Sequence, residues 1–109
     1  MVLEDQVEGD YLVVGLRDKR LDAVIAVSFR EAMAERIDQG QKKIVLDLSN
    51  VGFLDSSGLG ALVGVLKHLG PQGCLYLCGI TPAVMAVLRL TRMDRVFKTF
   101  PTRADALAA

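Results

Sequence analysis

Apolar and polar residues alternate in short blocks along the chain, and these blocks predict strands and helices in turn. VLEDQVE alternates weakly, Gly9-Asp10 supplies a turn, and YLVVGL is a clearer strand, so the chain is expected to open with a hairpin. A first helix follows, which we expect Asp22 to cap and Gly40 to end. One face of that helix carries apolar residues at every fourth position, namely Ile25, Phe29, Met33 and Ile37.

The middle of the chain predicts a buried strand and a second helix. The run 44–48 is rich in branched apolar residues, as is typical of an inner strand. The helix is expected over 56–69, where Gly70-Pro71 ends it. Gly60 and Gly64 lower helix propensity, so we expect this helix to pack closely and to be the most buried one. Its predicted apolar face consists of Leu59, Leu62, Val63, Leu66 and Leu69.

The remainder of the chain predicts a strand over 74–78 and a third helix. Thr81-Pro82 places a polar N-cap before a proline at the first helical position, and the helix should extend to about Met93. A short strand near 96–99 and a last helix capped by Thr102 follow. Strands that alternate with helices indicate an α/β domain, and a length of 109 residues predicts a single domain over 1–109.

Composition excludes several classes of function. The chain has 13 basic and 13 acidic side chains and therefore no net charge, which argues against nucleic acid as a partner. Polar residues interrupt every apolar run well before about 18 residues, which argues against membrane insertion. The acidic start, MVLEDQVEGD, does not resemble a signal peptide, so we expect a cytoplasmic protein.

Cys74 and Cys78 are expected on one strand, where positions four apart are separated by about 13 Å and cannot share a disulfide. A pair of cysteines with one distant histidine is also a poor zinc site, since a structural zinc site needs four ligands. We expect two core thiols, no metal and no organic cofactor.

The segment from Phe53 to Gly60, FLDSSGLG, carries the candidate chemistry. It delivers Ser56 and Ser57 to the start of a helix, where unpaired N–H groups and the helix dipole favour a phosphate. A phosphate there would change the surface from a neutral hydroxyl to a dianion without unfolding the domain. The alternative is that Asp55 or one of the serines is only an N-cap, which requires no partner.

Three motifs in order resemble the STAS domain, in particular the bacterial anti-sigma-factor antagonists. They are Arg20-Leu21-Asp22-Ala23, the run IVLDLSNVGFLDSSGLGALVGVLKHL, and Cys78-Gly79-Ile80-Thr81-Pro82-Ala83-Val84. The resemblance implies a single STAS domain, an α/β fold with a small mixed sheet of about five strands covered by about four helices. It also implies a binding protein and not an enzyme.

By this resemblance Ser56 is the residue that a serine kinase phosphorylates, and that kinase is also the anti-sigma factor. The unphosphorylated antagonist binds the kinase and frees a sigma factor. Phosphorylation breaks the complex, and a metal-dependent serine/threonine phosphatase restores it. Asp55 would orient the Ser56 hydroxyl, add negative charge or cap the helix, and Ser57 would cap the helix or support Ser56.

The resemblance also predicts the partner-binding surface on one side of the sheet. We expect Gly58 to support the phosphosite, and Lys19, where the family commonly has glycine, to alter the shape of the preceding loop. The residues expected to contact the partner are Arg20, Asp22, Ser56, Leu59, Thr81 and Pro82.

Parts of the sequence also suggest three other interpretations. A serine hydrolase needs a base near Ser56, but His68 falls about 18 Å away along the same helix. A phosphoacceptor receiver would use Asp47 and Lys98, yet it needs a cluster of acids for a cation, and Asp47 is better explained as a hydrogen-bond acceptor at a strand end. An accessory STAS subunit of a lipid or anion transporter, docking through DSSG without phosphorylation, remains an alternative.

Overall fold

Five strands form one mixed sheet, and four helices pack on its two faces in the computed structural model, which describes residues 1–109. The strands are β1 (Leu3–Glu8), β2 (Tyr11–Leu16), β3 (Arg20–Leu21), β4 (Lys43–Asp47), β5 (Phe53–Leu54), β6 (Cys74–Cys78) and β7 (Lys98–Phe100). The helices are α1 (Ala26–Asp38), α2 (Ser56–Leu69), α3 (Pro82–Leu90) and α4 (Arg103–Leu107). This architecture confirms the predicted α/β fold.

The main sheet has the order β1-β2-β4-β6-β7. β1 pairs with β2 as an antiparallel hairpin, as predicted, and β2, β4, β6 and β7 are mutually parallel. The carboxyl ends of β2, β4 and β6 therefore lie at the same edge of the sheet, where ligands commonly bind in parallel sheets. A second, two-stranded parallel sheet joins β3 to β5 beside this edge.

Alternate residues of the inner strands face two separate cores. Leu12, Val14, Ile44 and Leu46 belong to the large cluster that also contains residues of α1, α2 and α3. The opposite face of the sheet is covered by α4, in a small cluster of Val13, Val45, Cys78 and Ala106. None of the four helices has the length and apolar character needed to cross a membrane.

Helix α1 begins at Ala26, so the prediction that the Asp22 side chain caps it was wrong. The Asp22 carboxylate instead accepts a hydrogen bond from the Val24 amide at 3.1 Å. Its carbonyl accepts hydrogen bonds from the amides of Ile25 and Ala26 at 3.1 and 2.8 Å. Asp22 thus closes a turn that precedes the helix, because short acidic side chains readily bond the backbone two residues on.

Helix α2 has the predicted bounds, but its buried face is rotated from the predicted one. The fully buried residues are Gly58, Ala61, Leu62, Val65 and Leu69, whereas Leu59, Val63 and Leu66 are half-buried. The close approach expected at Gly60 occurs at Gly58, because Gly60 faces open space and a side chain at Gly64 would meet only that of Arg30. The buried face of α2 therefore combines the small residues Gly58 and Ala61 with larger apolar ones.

The end of the chain differs in detail from the prediction. α3 ends at Leu90 and not near Met93, because Arg92 adopts a left-handed conformation with φ 60° before a short 3-10 turn. β7 is shifted to Lys98–Phe100, and Thr102 caps α4 as predicted through a 3.1 Å hydrogen bond from the Asp105 amide. Both thiols are free, but only Cys78 lies in the core, since Cys74 is half-buried.

Candidate functional site

Three connections meet at the carboxyl edge of the sheet and are tied to one another by hydrogen bonds. The Gly52 amide donates to the Lys19 carbonyl at 2.9 Å, which joins the loops that follow β4 and β2. The Thr81 hydroxyl donates to the Val51 carbonyl at 2.6 Å, which joins the loop after β6 to the same segment. The loops predicted to form a partner-binding surface therefore share one edge of the sheet.

The small β3–β5 sheet places two predicted residues beside the segment that leads to α2. Arg20 pairs with Phe53 across the two strands, and its guanidinium lies 3.9 Å above the centre of the Phe53 ring. Arg20 Nε also donates to Asp22 Oδ2 at 3.0 Å. That hydrogen bond holds the pKa of the Asp22 carboxyl below its usual value.

Ser56 is the first residue of α2, and its side chain is exposed. Asp55 is the N-cap, with an extended backbone and an Oδ1 atom that accepts from the Gly58 amide at 2.8 Å. Asp55 Oδ2 accepts from the Ala23 amide, in the turn before α1, at 3.2 Å. The capping role considered for Asp55 is therefore the observed one, and both carboxylate oxygens bond to backbone amides.

Ser57 does not cap the helix, because it lies inside the first turn of α2. Its exposed side chain lines a shallow groove between α2 and α1 together with Val27 and Arg30. Gly58 is buried, and its amide is the one that Asp55 caps. Ser56 and Ser57 thus occupy different surroundings at the same helix end.

The other predicted contact residues are not equally available to a partner. Pro82 is exposed at the start of α3, whereas Leu59 is half-buried and packs against the core. Thr81 occupies the N-cap position of α3, but its hydroxyl bonds to Val51 and not to an amide of α3. Their roles in binding stay predictions.

Two exposed apolar residues of this surface were not predicted from the sequence. Phe53 is 39% exposed and Val24 is 86% exposed. Their apolar character alone would have indicated core positions. The pairing of β3 with β5 places Phe53 beside Arg20 at the surface, whereas Val24 lies in the turn before α1. Lys19 is accommodated without a positive φ, since Arg92 is the single non-glycine residue with positive φ, and the effect of Lys19 on the shape of the loop stays a prediction.

Asp47 and His68 have structural partners. Asp47 accepts hydrogen bonds from the Ser49 amide at 2.9 Å and from Arg103 Nε at 2.6 Å. Burial tends to raise the pKa of Asp47, but these hydrogen bonds outweigh it and the pKa is lowered. His68 Nε2 lies 2.7 Å from Asp38 Oδ1, near the opposite end of α2 from Ser56.

Comparison with known proteins places this geometry in a family. The sequence pattern of the STAS domain matches residues 3–106. The anti-sigma F factor antagonist of Paenibacillus polymyxa is 32% identical over 80 residues, which are 72% of this chain and 68% of that protein.

Solved structures agree with the sequence match. An anti-sigma factor antagonist from Mycobacterium paratuberculosis superposes with a TM-score of 0.88 at 28% identity, covering 98% of this chain and 91% of that one. The unphosphorylated form of the anti-sigma factor antagonist SpoIIAA has the same fold, with a TM-score of 0.80 at 22% identity and coverage of 97% and 93%. The chain belongs to the STAS domain family and, within it, to the anti-sigma factor antagonists, which are regulators and not enzymes.

Proposed function

We propose that this protein is a cytoplasmic anti-sigma factor antagonist that reversible phosphorylation of Ser56 switches off. Without phosphate it binds a serine kinase that is also an anti-sigma factor, and a sigma factor is thereby released. A metal-dependent serine/threonine phosphatase restores the unphosphorylated form. The observation that carries the proposal is the exposed Ser56 at the start of α2, at the edge where three connected loops meet.

The helix end supports phosphorylation without loss of the fold. The first amides of a helix have no acceptor within it, and the helix dipole adds roughly half a positive charge there. A phosphate on Ser56 would therefore bond to donors that the fold already provides. The exposed position also means that the modification requires no repacking of the core.

The charges around Ser56 explain how phosphorylation would prevent binding. Asp55 is the preceding residue, and its Oδ2 atom bonds to the turn that Asp22 closes. A phosphate adds about 1.5 to 2 negative charges to a surface that already carries these two carboxylates. A partner that fits the neutral hydroxyl would then meet a hydrated dianion at the centre of the interface, and binding would weaken.

The remaining site residues divide into two groups in this proposal. Asp55, Ser57 and Gly58 shape the helix end that presents Ser56. The residues that contact the partner around Ser56 are Arg20, Asp22, Leu59, Thr81 and Pro82.

The decisive experiment combines phosphorylation with binding. The protein is incubated with serine-kinase anti-sigma factors from the same genome and Mg-ATP, and the phosphate is located by tandem mass spectrometry. Fragment ions are required, because Ser49, Ser56 and Ser57 lie in one tryptic peptide, 44–67. We expect the phosphate on Ser56. Ser56→Ala should bind the kinase as the unaltered protein does, and incubation with Mg-ATP should not weaken that binding. Ser56→Asp should bind more weakly. Ser57→Ala is the matched control and should still be phosphorylated.

Phosphate found only on other residues would refute the assignment of Ser56. If the chain bound a transporter subunit and took up no phosphate from any of the kinases, the accessory-module alternative would replace the proposed switch.

A further inference from the structure

The Asp55 carboxylate joins two elements that follow different strands of the sheet. Oδ1 accepts from the Gly58 amide within the first turn of α2 at 2.8 Å. Oδ2 accepts from the Ala23 amide in the turn before α1 at 3.2 Å. A simple N-cap needs only the first of these bonds, so the second requires its own explanation.

The turn before α1 satisfies its other amides internally. The Val24 amide bonds to the Asp22 carboxylate, and the amides of Ile25 and Ala26 bond to the Asp22 carbonyl. The Ala23 amide has Asp55 as its acceptor. The Asp55 carboxylate is therefore the side chain that connects this turn to the helix bearing Ser56.

This turn carries part of the surface around Ser56. It places Val24 in a largely exposed position, and it follows β3, in which the guanidinium of Arg20 covers Phe53. Arginine and aromatic side chains are among the residue types that contribute most to the binding free energy at protein interfaces. The position of the turn relative to Ser56 therefore decides whether a partner meets one preformed surface or two separate segments.

We infer that Asp55 is a positioning residue that holds the turn of residues 22–25 in its binding-competent place beside Ser56, through the Oδ2 bond to Ala23. This inference rests on the proposed function. It also gives both carboxylate oxygens a role: the side chain of asparagine has a single acceptor oxygen, which would cap α2 and leave the Ala23 amide without its acceptor. When only a fraction of the molecules has the competent arrangement, the apparent dissociation constant equals the intrinsic one divided by that fraction.

Two substitutions remove the same bond from opposite sides. Asp55→Asn keeps a good N-cap, since asparagine and aspartate cap helices about equally well. Ala23→Pro removes the donor and leaves the carboxylate and its charge in place. Ala23 is the second residue of a turn closed by the Ile25 amide and the Asp22 carbonyl, which is the position that proline favours.

The measurement is a double-mutant cycle for binding to the serine-kinase anti-sigma factor used above, with thermal unfolding recorded for each variant. Each single variant should raise the dissociation constant roughly tenfold, the size of effect expected for one hydrogen bond to a charged group. The double variant should be no weaker than either single one, because both remove one interaction. Asp5→Asn, which weakens a carboxylate link from β1 to Arg36 in α1, should leave binding unchanged.

Amide exchange measured by NMR supplies a readout that needs no partner. The Val24 and Ile25 amides should exchange roughly tenfold faster in both single variants, as expected when a turn opens more often. Unchanged exchange in Asp55→Asn, additive losses of affinity, or normal binding by Ala23→Pro would each overturn the positioning role. Absence of binding by the unaltered protein would instead refute the proposed function, and the exchange rates would still decide the role of Asp55.

Discussion

Gly58 of α2 lies directly against the carbonyl oxygen of Leu21 in β3, with no room for a side chain between them. A Cβ atom at Gly58 would overlap that oxygen and come within 2.8 Å of Leu54 Cδ1. The start of α2 is thus in contact with both strands of the small sheet. This contact fixes how far Ser56, two residues earlier, stands from Arg20 and Phe53.

Gly58→Ala should destabilise the protein although alanine is the better helix former. The overlap involves backbone, which cannot move aside as a flexible side chain would, and we expect a net loss of about 1–3 kcal/mol in the free energy of unfolding. Gly60→Ala is the matched control. Gly60 faces open space in the same helix, so alanine should stabilise it by about 0.5–1 kcal/mol. Urea denaturation measures the free energy of unfolding of both variants, and equal effects of the two substitutions would contradict the packing described.

Leu62→Asp should unfold the domain. Leu62 is 0% exposed, and an unpaired carboxylate at this position has no hydrogen-bond partner in the apolar core. Leu90→Asp is the control, because Leu90 ends α3 with 89% of its surface exposed and should tolerate the charge. Far-UV circular dichroism and thermal melting distinguish the outcomes. A cooperative transition for Leu62→Asp near that of the unaltered protein would show that the burial of α2 is wrong.

The Asp47–Arg103 ion pair should contribute stability that depends on pH. The pKa of Asp47 is lower in the folded protein than its usual value of 3.8, so the folded state favours the carboxylate. The contribution is therefore present above pH 3.8 and is lost as the pH falls through the lower, folded pKa.

Arg103→Ala should remove about 1 kcal/mol at neutral pH, a modest amount because Arg103 is 41% exposed. The difference from the unaltered protein should shrink as the pH falls below 3.8. Urea denaturation between pH 2 and 7 provides the test. A constant difference across this range would indicate that Arg103 acts through packing alone.

The two cysteines should react at very different rates. Burial raises the pKa of Cys78 to about 11, and the negative charge of Asp47 adds to this effect. At pH 8 roughly one Cys78 side chain in a thousand is the reactive thiolate, and the side chain is also inaccessible. Iodoacetamide followed by mass spectrometry should therefore show rapid labelling at the half-buried Cys74 only. The Cys74→Ser variant should label slowly until it is unfolded, and rapid labelling of it would contradict the burial of Cys78.

Local signals made the larger elements predictable. α2 begins after an N-cap aspartate and ends at Gly70, which has a positive φ of 72°, and both signals are visible in the sequence. The pairing of β3 with β5 was not predictable, because two residues carry no periodicity and their partners lie far apart in the chain. The rotation of the buried face of α2 was missed because hydrophobicity favours leucine over Gly58 and Ala61.

As with the fold, the features of the site that have local sequence signals were predicted, and those that depend on tertiary contacts were not. The position of Ser56 at a helix start followed from FLDSSGLG, and the choice of Ser56 over Ser57 came from the family resemblance. The second bond of Asp55 and the contact of Arg20 with Phe53 depend on tertiary packing and have no local signature. Asp47 was expected to accept hydrogen bonds, but its ion pair with Arg103 joins distant parts of the chain.

The pairing of β3 with β5 involves only two residues from each strand. Because so few residues pair, side chains on the flanking segments can vary while the hydrogen bonds that their backbone makes keep the helix start anchored. Duplicated copies of such a gene can therefore diverge toward different partner proteins inside one cell and still share an unaltered core. Which copy binds which partner would then depend on a few surface residues around the helix start and not on the fold as a whole.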